Sequence, residues 1–159
     1  MQLDRIHISL SDQQLVGYAE GQVVCRYAVS TALNGAGEAE GSGCTPRGRH
    51  RIRARIGEGQ PCGAVFIGRR PTGEVWSPEL AATFPLRDWI LSRILWLCGE
   101  EPGFNRGGDV DSQRRYIYIH GTGDDQPMGR PLSHGCVRMR NSEMVELFAR
   151  TPVGCIVQI

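Results

Sequence analysis

A histidine and a cysteine sixteen positions apart, His120 and Cys136, are the residues of this sequence best suited to chemistry. A thiol is a weak nucleophile at neutral pH until a base takes its proton, and a neighbouring imidazole lowers thiol pKa values into a range of about 3.5 to 7.5. Gly135 precedes Cys136, and a turn at this glycine can leave backbone N–H groups free to bind the oxyanion of a tetrahedral intermediate. The pair therefore predicts covalent acyl transfer, with Cys136 as nucleophile and His120 as base.

An imidazole that acts as a base needs its second nitrogen held by another group, commonly a carboxylate or a carbonyl. No acidic residue is an obvious partner for His120, so we predict the backbone carbonyl of Gly121 in this role. A zinc site built from His120, His134 and Cys136 is the alternative chemistry. The chain lacks the paired short spacings typical of zinc sites, and we expect neither a metal nor a cofactor.

The residues before His120 are strong β-formers and predict a strand that begins at Tyr116 and ends at His120. Side chains alternate across a strand, so Tyr116, Tyr118 and His120 share one face and Ile117 and Ile119 share the other. Tyr118 is therefore expected to line the approach of a substrate to the histidine.

The rest of the chain also predicts mainly β structure. The tight Glu20-Gly21 link predicts a hairpin near the start of the chain. The one convincing helix runs from about Asn141 to Arg150, with Asn141 as its N-cap and Thr151-Pro152 as its stop. The Gly-rich segments 33–48 and 98–115 predict long loops. Further strands are predicted at residues 6–10, 15–19, 22–31, 49–56, 64–68, 89–97 and 153–159, with a short one near 74–76.

Length and charge restrict the function classes. A chain of 159 residues fits a single domain over residues 1–159, and 18 basic against 17 acidic residues leave a formal charge of +1, unlike a nucleic-acid or anionic-membrane binder. The first residues lack the basic and apolar regions of a signal peptide, and no apolar stretch could span a bilayer. We therefore expect a soluble, cytoplasmic protein without nucleic-acid or membrane partners, whose six cysteines stay reduced.

The segments Ile119-His120-Gly121-Thr122 and Ser133-His134-Gly135-Cys136-Val137-Arg138-Met139 resemble the catalytic motif of the L,D-transpeptidase (YkuD-type) domain family. The resemblance extends over nearly the whole chain. It implies a mainly β, sandwich-like fold of mixed sheets with one short C-terminal helix. It also implies a substrate, the peptidoglycan stem tetrapeptide, whose peptide bond after the L-centre of meso-diaminopimelate is attacked with release of D-Ala.

The same resemblance implies roles for individual residues. Cys136 is the nucleophile, His120 the base and Gly121 the orienting carbonyl. Three residues shape the pocket and the oxyanion hole, namely Ser133, His134 and Gly135. Arg138 supports the site or meets a substrate carboxylate, and carbapenems are expected to acylate the thiol.

Water or an amine can resolve the acyl-enzyme, and the compartment decides which of them is available. The cytosol offers soluble muropeptides and no polymeric wall, so we favour L,D-carboxypeptidase activity in muropeptide recycling. Wall cross-linking, or exchange of D-Ala for another D-amino acid, is the enzymatic alternative. A non-catalytic muropeptide-binding module is the alternative of another class, and an intact Cys136 and His120 argue against it.

Overall fold

The computed structural model describes all residues, 1–159, and shows ten strands and two helices. The mainly β fold with mixed strand pairing and a short C-terminal helix, as predicted, is confirmed. The elements are β1 (Arg5–Ser9), β2 (Gln14–Ala19), β3 (Gln22–Ala28), β4 (Arg49–Ile56), β5 (Ala64–Ile67), β6 (Arg70–Val75), α1 (Pro78–Thr83), β7 (Ile90–Gly99), β8 (Tyr118–Gly121), β9 (Val137–Met139), α2 (Asn141–Arg150) and β10 (Ile156–Gln158).

Hydrogen bonds join the ten strands in one mixed sheet. Its main path runs β3-β2-β1-β10-β4-β7-β5-β6, while β8 pairs with β7 and carries β9 on its other side. The β1–β10 and β8–β9 pairs are parallel, and every other pair is antiparallel. The last strand of the chain therefore lies in the middle of the path, between β1 and β4.

The predicted N-terminal hairpin is confirmed as β2 and β3. Its two turn residues, Glu20 and Gly21, have φ values of +51° and +76°. Two consecutive left-handed residues form the turn type whose twist matches that of paired strands. Ala19 accordingly pairs with Gln22 across the turn.

The main hydrophobic core is made by side chains from most strands and from α2. Strand β7 separates this core from a smaller cluster, because Leu95 and Leu97 face the core whereas Ile94 packs with Tyr118 on the other side. The same alternation in β8 sends Ile119 into the core. Because side chains alternate along a strand, one face of β7 and β8 packs against the core, and the side chains of the other face are available to form a site.

Several local predictions differ from the structure. The strand predicted to begin at Tyr116 begins at Tyr118, because Tyr116 has a φ of +56° and cannot continue a strand. The final strand covers only Ile156–Gln158, since Gly154 turns the chain at a φ of +90°. Helix α1 was not predicted, although Ser77 caps it by accepting a hydrogen bond from the Leu80 N–H.

The two long Gly-rich segments are tied to the rest of the chain by specific side chains. Arg115 donates to four oxygens of residues 37–44, including the carbonyl of Cys44 at 2.7 Å. Asn105, which is fully buried, donates to the carbonyls of Arg47 and Arg49 at 3.1 Å each. Neither helix has the length and apolar character that crossing a bilayer requires.

Candidate active site

His120 and Cys136, sixteen positions apart in the chain, are brought together by the two adjacent strands β8 and β9. His120 lies in strand β8, one residue before its end, and β8 pairs in parallel with β9, so that His120 lies opposite Arg138. Cys136 is the residue immediately before β9. The two predicted catalytic side chains consequently line one cleft of about 540 Å³. Six of the eight predicted site residues line it, and Gly121 and Gly135 contribute through their backbones.

The imidazole of His120 is buried and held in one orientation. Its Nδ1 lies 2.6 Å from the carbonyl oxygen of Gly121, the group predicted from the sequence. Because a carbonyl only accepts hydrogen bonds, Nδ1 carries the proton, and Nε2 keeps a free lone pair. Burial lowers the pKa of His120 below its ordinary value. The resting imidazole is therefore neutral at physiological pH and able to act as a base.

Gly121 is constrained by the neighbouring strand. A Cβ atom at this position would lie 2.7 Å from the carbonyl oxygen of Leu91 in β7. Asn141 also lies against this glycine: it accepts a hydrogen bond from the Ser92 hydroxyl at 2.7 Å and donates to the Thr122 carbonyl at 2.9 Å.

The prediction of Asn141 as helix N-cap was wrong. Arg140 is the N-cap, and the buried Asn141 side chain instead connects β7 to the segment after β8.

The Cys136 thiol is half-buried and is hydrogen-bonded to backbone groups. It accepts a hydrogen bond from the Tyr118 N–H at 3.3 Å and donates to the Tyr116 carbonyl at 3.3 Å. Burial raises the pKa of Cys136 to about 12. This differs from the expectation of a lowered thiol pKa, because burial disfavours the charged thiolate. The resting pair is a neutral thiol and a neutral imidazole.

The turn before Cys136 is fixed by two hydroxyl groups. Ser133 Oγ accepts a hydrogen bond from the Gly135 N–H and donates to the Cys136 carbonyl. Thr45, which is fully buried, donates to the Gly135 carbonyl at 2.9 Å and accepts from the Ala32 N–H at 3.0 Å. Sequence reasoning did not identify Thr45.

Gly135 has a φ of +132°, and a Cβ atom there would lie 3.2 Å from the Cys44 carbonyl oxygen. Its own N–H is occupied by Ser133. The backbone N–H groups of His134 and Cys136 have no acceptor within the protein. These two donors, rather than that of Gly135, are available to an oxyanion.

Arg138 is engaged by an acidic residue that sequence reasoning missed. Its guanidinium donates to Asp88 at 3.0 Å and to the Leu132 carbonyl at 3.3 Å, and its side chain is only 9% exposed. The exposed His134 places Nδ1 3.7 Å from the other oxygen of Asp88. This pairing favours the supporting role over the carboxylate-binding role of Arg138. No local pattern around Asp88 indicates a site, since it lies fifty positions from Arg138.

Tyr118 and a second arginine form another wall of the cleft. The Tyr118 hydroxyl accepts a hydrogen bond from Arg69 at 3.0 Å, and both side chains line the cleft together with Tyr116. Arg69 was not identified from the sequence either, because it lies in a two-residue hairpin turn between β5 and β6.

A larger pocket of about 870 Å³ adjoins this cleft. The two share Asp88, His134 and Arg138, and the second pocket continues past Trp76 and Trp89 to Asp124 and Asp125. The zinc alternative finds no support here, because no three His, Cys, Asp or Glu side chains are grouped so as to hold a metal ion.

Comparison with known proteins places these observations in a family. The family model YkuD, described as the L,D-transpeptidase catalytic domain, matches residues 3–159. A segment of 44 residues is 48% identical to the protein named "Probable L,D-transpeptidase YbiS" of Escherichia coli, and covers 28% of this chain and 14% of that protein.

Two solved structures show the same fold. The first is an L,D-transpeptidase from Xylanimonas cellulosilytica, 21% identical with a TM-score of 0.56 over 99% of this chain. The second is the LD transpeptidase LdtMt1 in complex with imipenem, 14% identical with a TM-score of 0.55 over 96% of this chain. This chain covers 60% and 56% of those two chains, respectively. A match over nearly every residue, together with a thiol and an imidazole in one cleft, shows that the chain belongs to the YkuD family of L,D-transpeptidase catalytic domains.

Proposed function

We propose that this chain is an L,D-carboxypeptidase that removes D-Ala from peptidoglycan stem tetrapeptides, with Cys136 as nucleophile. The observation that carries the proposal is the hydrogen bond between His120 Nδ1 and the Gly121 carbonyl, which leaves Nε2 as the base in the cleft lined by Cys136. Membership of the L,D-transpeptidase family supports the peptidoglycan substrate.

Acylation begins from the neutral pair. As the sulfur attacks the carbonyl at the L-centre of diaminopimelate, the thiol proton passes to His120 Nε2, and the tetrahedral oxyanion is bound by the N–H groups of His134 and Cys136. The carbon–nitrogen bond then breaks. The imidazolium returns the proton to the departing amine, and D-Ala leaves with a thioester remaining on Cys136.

Water completes the turnover in the proposed reaction. His120, neutral again, takes a proton from water as the oxygen attacks the thioester, and the sulfur departs and recovers its proton.

Six unpaired cysteines, among them the exposed Cys62, support a reducing compartment. We therefore propose a cytoplasmic location, in which soluble muropeptides would be the substrate. Cell fractionation that recovers the native protein outside the cytoplasm would contradict this part of the proposal.

Transfer to an amine is the second candidate, and the adjoining pocket favours it. That pocket shares His134 and Asp88 with the cleft and carries the further carboxylates Asp124 and Asp125. Carboxylates attract an ammonium group, so the pocket is a place for an amine acceptor. Such an acceptor would give a D-amino acid exchange product or a cross-linked dimer.

One assay separates these outcomes. Purified protein is incubated with disaccharide-tetrapeptide, with and without an added D-amino acid, and the products are identified by mass spectrometry. We expect tripeptide and free D-Ala in both incubations. A dimer or an exchanged tetrapeptide as main product would favour transfer over hydrolysis. Binding of tetrapeptide without any product would favour the non-catalytic module.

Carbapenem acylation is part of the same proposal. The related structure of LdtMt1 is described as a complex with imipenem, and the thiol of this chain lies in a comparable fold. Intact-mass analysis after incubation with imipenem should show one adduct per chain, and none in Cys136→Ala. A folded, active protein without an adduct would show that this cleft excludes the drug.

A further inference from the structure

Arg69, at the tip of the β5–β6 hairpin, projects a cation into the wall of the catalytic cleft. We propose that Arg69 is a specificity-determining residue that binds a carboxylate of the acyl-donor peptide. The inference rests on the proposed function, since it names a group by which that substrate is recognised. Arg69 lies outside the two motif segments, residues 119–122 and 133–139.

The backbone at Arg69 is unusual for an arginine. Gly68 and Arg69 are the two central residues of the turn, with φ values of +56° and +64°. Glycine, asparagine and aspartate suit such positions, whereas a longer side chain is disfavoured in the left-handed region. Residues held in disfavoured backbone conformations cluster at ligand clamps and active sites. Arg69 therefore holds a backbone conformation that a residue of its type seldom adopts.

Three aromatic residues hold that side chain in place. Its Nη1 donates to the Tyr118 hydroxyl at 3.0 Å, and the guanidinium lies 4.7 Å from the ring centroid of Trp96 and 5.0 Å from that of Tyr116. Contacts of a guanidinium with aromatic faces are attractive and restrict its orientation. The cation is thus positioned before substrate arrives, in the cleft that Cys136 and His120 also line.

The hydrogen-bonding capacity of Arg69 is largely unused. A guanidinium has five N–H donors, and the structure assigns Arg69 one hydrogen bond and no acidic partner. The two other arginines near Cys136 differ in this respect. Arg138 is paired with Asp88, and Arg115 donates to four oxygens of the loop at residues 37–44. Arg69 is therefore the cation of the cleft that is free to receive an anion.

The donor peptide supplies suitable anions. A stem tetrapeptide has a carboxylate on its terminal D-Ala and another on the side chain of diaminopimelate, and both lie close to the bond that is cut. A planar guanidinium binds a carboxylate through two parallel hydrogen bonds. Lysine offers a point charge without this geometry. The affinity for the donor peptide should therefore depend on the shape of the guanidinium as well as on its charge.

Binding is measured in the Cys136→Ala background, so that no acyl-enzyme forms. Calorimetric titration measures the affinity for tetrapeptide of the protein with Arg69 and of the variants Arg69→Gln, Arg69→Lys and Arg69→Gly. The matched control is Arg70→Gln, because Arg70 is exposed and makes no ion pair. We expect at least tenfold weaker binding in Arg69→Gln and Arg69→Gly, a smaller loss in Arg69→Lys, and none in Arg70→Gln. Glycine suits the left-handed backbone, so Arg69→Gly keeps the turn.

Peptides amidated at one carboxylate identify the group that Arg69 binds. Amidation of that carboxylate should weaken binding tenfold when Arg69 is present and leave the affinity of Arg69→Gln unchanged. Two results would overturn this inference alone. One is an equal loss of affinity for every amidated peptide, and the other is equal affinity for tetrapeptide in the proteins with Arg69 and with Arg69→Gln. Failure of every variant to bind any stem peptide would overturn it together with the proposed function.

Discussion

The buried hydroxyl of Thr45 should be required for both stability and catalysis. Replacing it in Thr45→Val keeps the shape of the side chain but leaves the Ala32 N–H and the Gly135 carbonyl without their partner. A buried group left without a hydrogen bond costs about 1–3 kcal/mol, so two such groups should lower the free energy of unfolding by about 2–6 kcal/mol. For a domain of this size, that corresponds to a melting temperature roughly 4–24 °C lower.

Activity should fall further than stability accounts for. The Gly135 carbonyl fixes the turn that presents Cys136, and a displacement of about 1 Å at a reacting group can cost about 100-fold in rate. Turnover of tetrapeptide, measured well below the melting temperature of the variant, tests this effect.

The matched control is Thr45→Ser, which keeps the hydroxyl and removes one methyl group. It should lose only about 1 kcal/mol of stability, since a buried methyl contributes on that order, and it should retain most of its turnover. Thermal and urea unfolding of the three proteins supply the comparison. A valine variant as stable and active as the native protein, with the losses confined to the serine variant, would show that packing of the methyl, and not the hydroxyl, is what matters, and would refute the reasoning.

The remaining predictions concern the catalytic groups and a second buried histidine. Cys136→Ala should abolish turnover without loss of fold, whereas Cys62→Ser, which changes an exposed thiol, should leave turnover intact; product analysis and circular dichroism test both. Because burial raises the pKa of Cys136 to about 12, its thiol is protonated at neutral pH, and alkylation by iodoacetamide should accelerate about tenfold per pH unit from 7 to 9; a plateau at neutral pH would instead reveal a thiolate–imidazolium pair. Gly121→Ala should reduce turnover at least tenfold and destabilise the fold by about 1–3 kcal/mol, because its methyl overlaps the backbone of β7; turnover and thermal unfolding as in the native protein would contradict this. Burial lowers the pKa values of His50 and His120, so the unfolded state binds more protons below about pH 6.5, and the free energy of unfolding should fall on acidification through that region; urea unfolding should show a smaller fall in His50→Asn, and an equal fall would exclude His50 as a source.

The placement of His120 and Cys136 in one cleft could be predicted because both residues lie in short segments with a recognisable order of residue types. His120 and Gly121 are adjacent, and Ser133 to Arg138 form one run. The β-branched and aromatic content of residues 89–97 and their β surroundings likewise sufficed for β7, and alternation sufficed for the opposite faces of Tyr118 and Ile119. In each case the determining interaction is local in sequence.

The supporting residues could not be predicted, since their partners are distant in the chain. Thr45 acts on Gly135 ninety positions away, and Asp88 acts on Arg138 fifty positions away. At Asn141, local preference gave a wrong prediction. The residue type is typical of helix N-caps, but its buried side chain makes tertiary hydrogen bonds with Ser92 and Thr122. Tertiary contacts decide such positions, and local preference gives no sign of them.

The position of β10 has a consequence for how the chain folds. Strands β1 to β3 are synthesised first, yet they join the rest of the sheet only through β10, which is made near the opposite end of the chain. Pairings between such remote segments slow folding, because a large loop must close before the contacts are gained. During synthesis the early hairpin is left with an unpaired edge at β1, a surface open to pairing with other chains until β10 arrives. Until β10 pairs with β1, nascent copies of this protein are therefore exposed to aggregation through that edge.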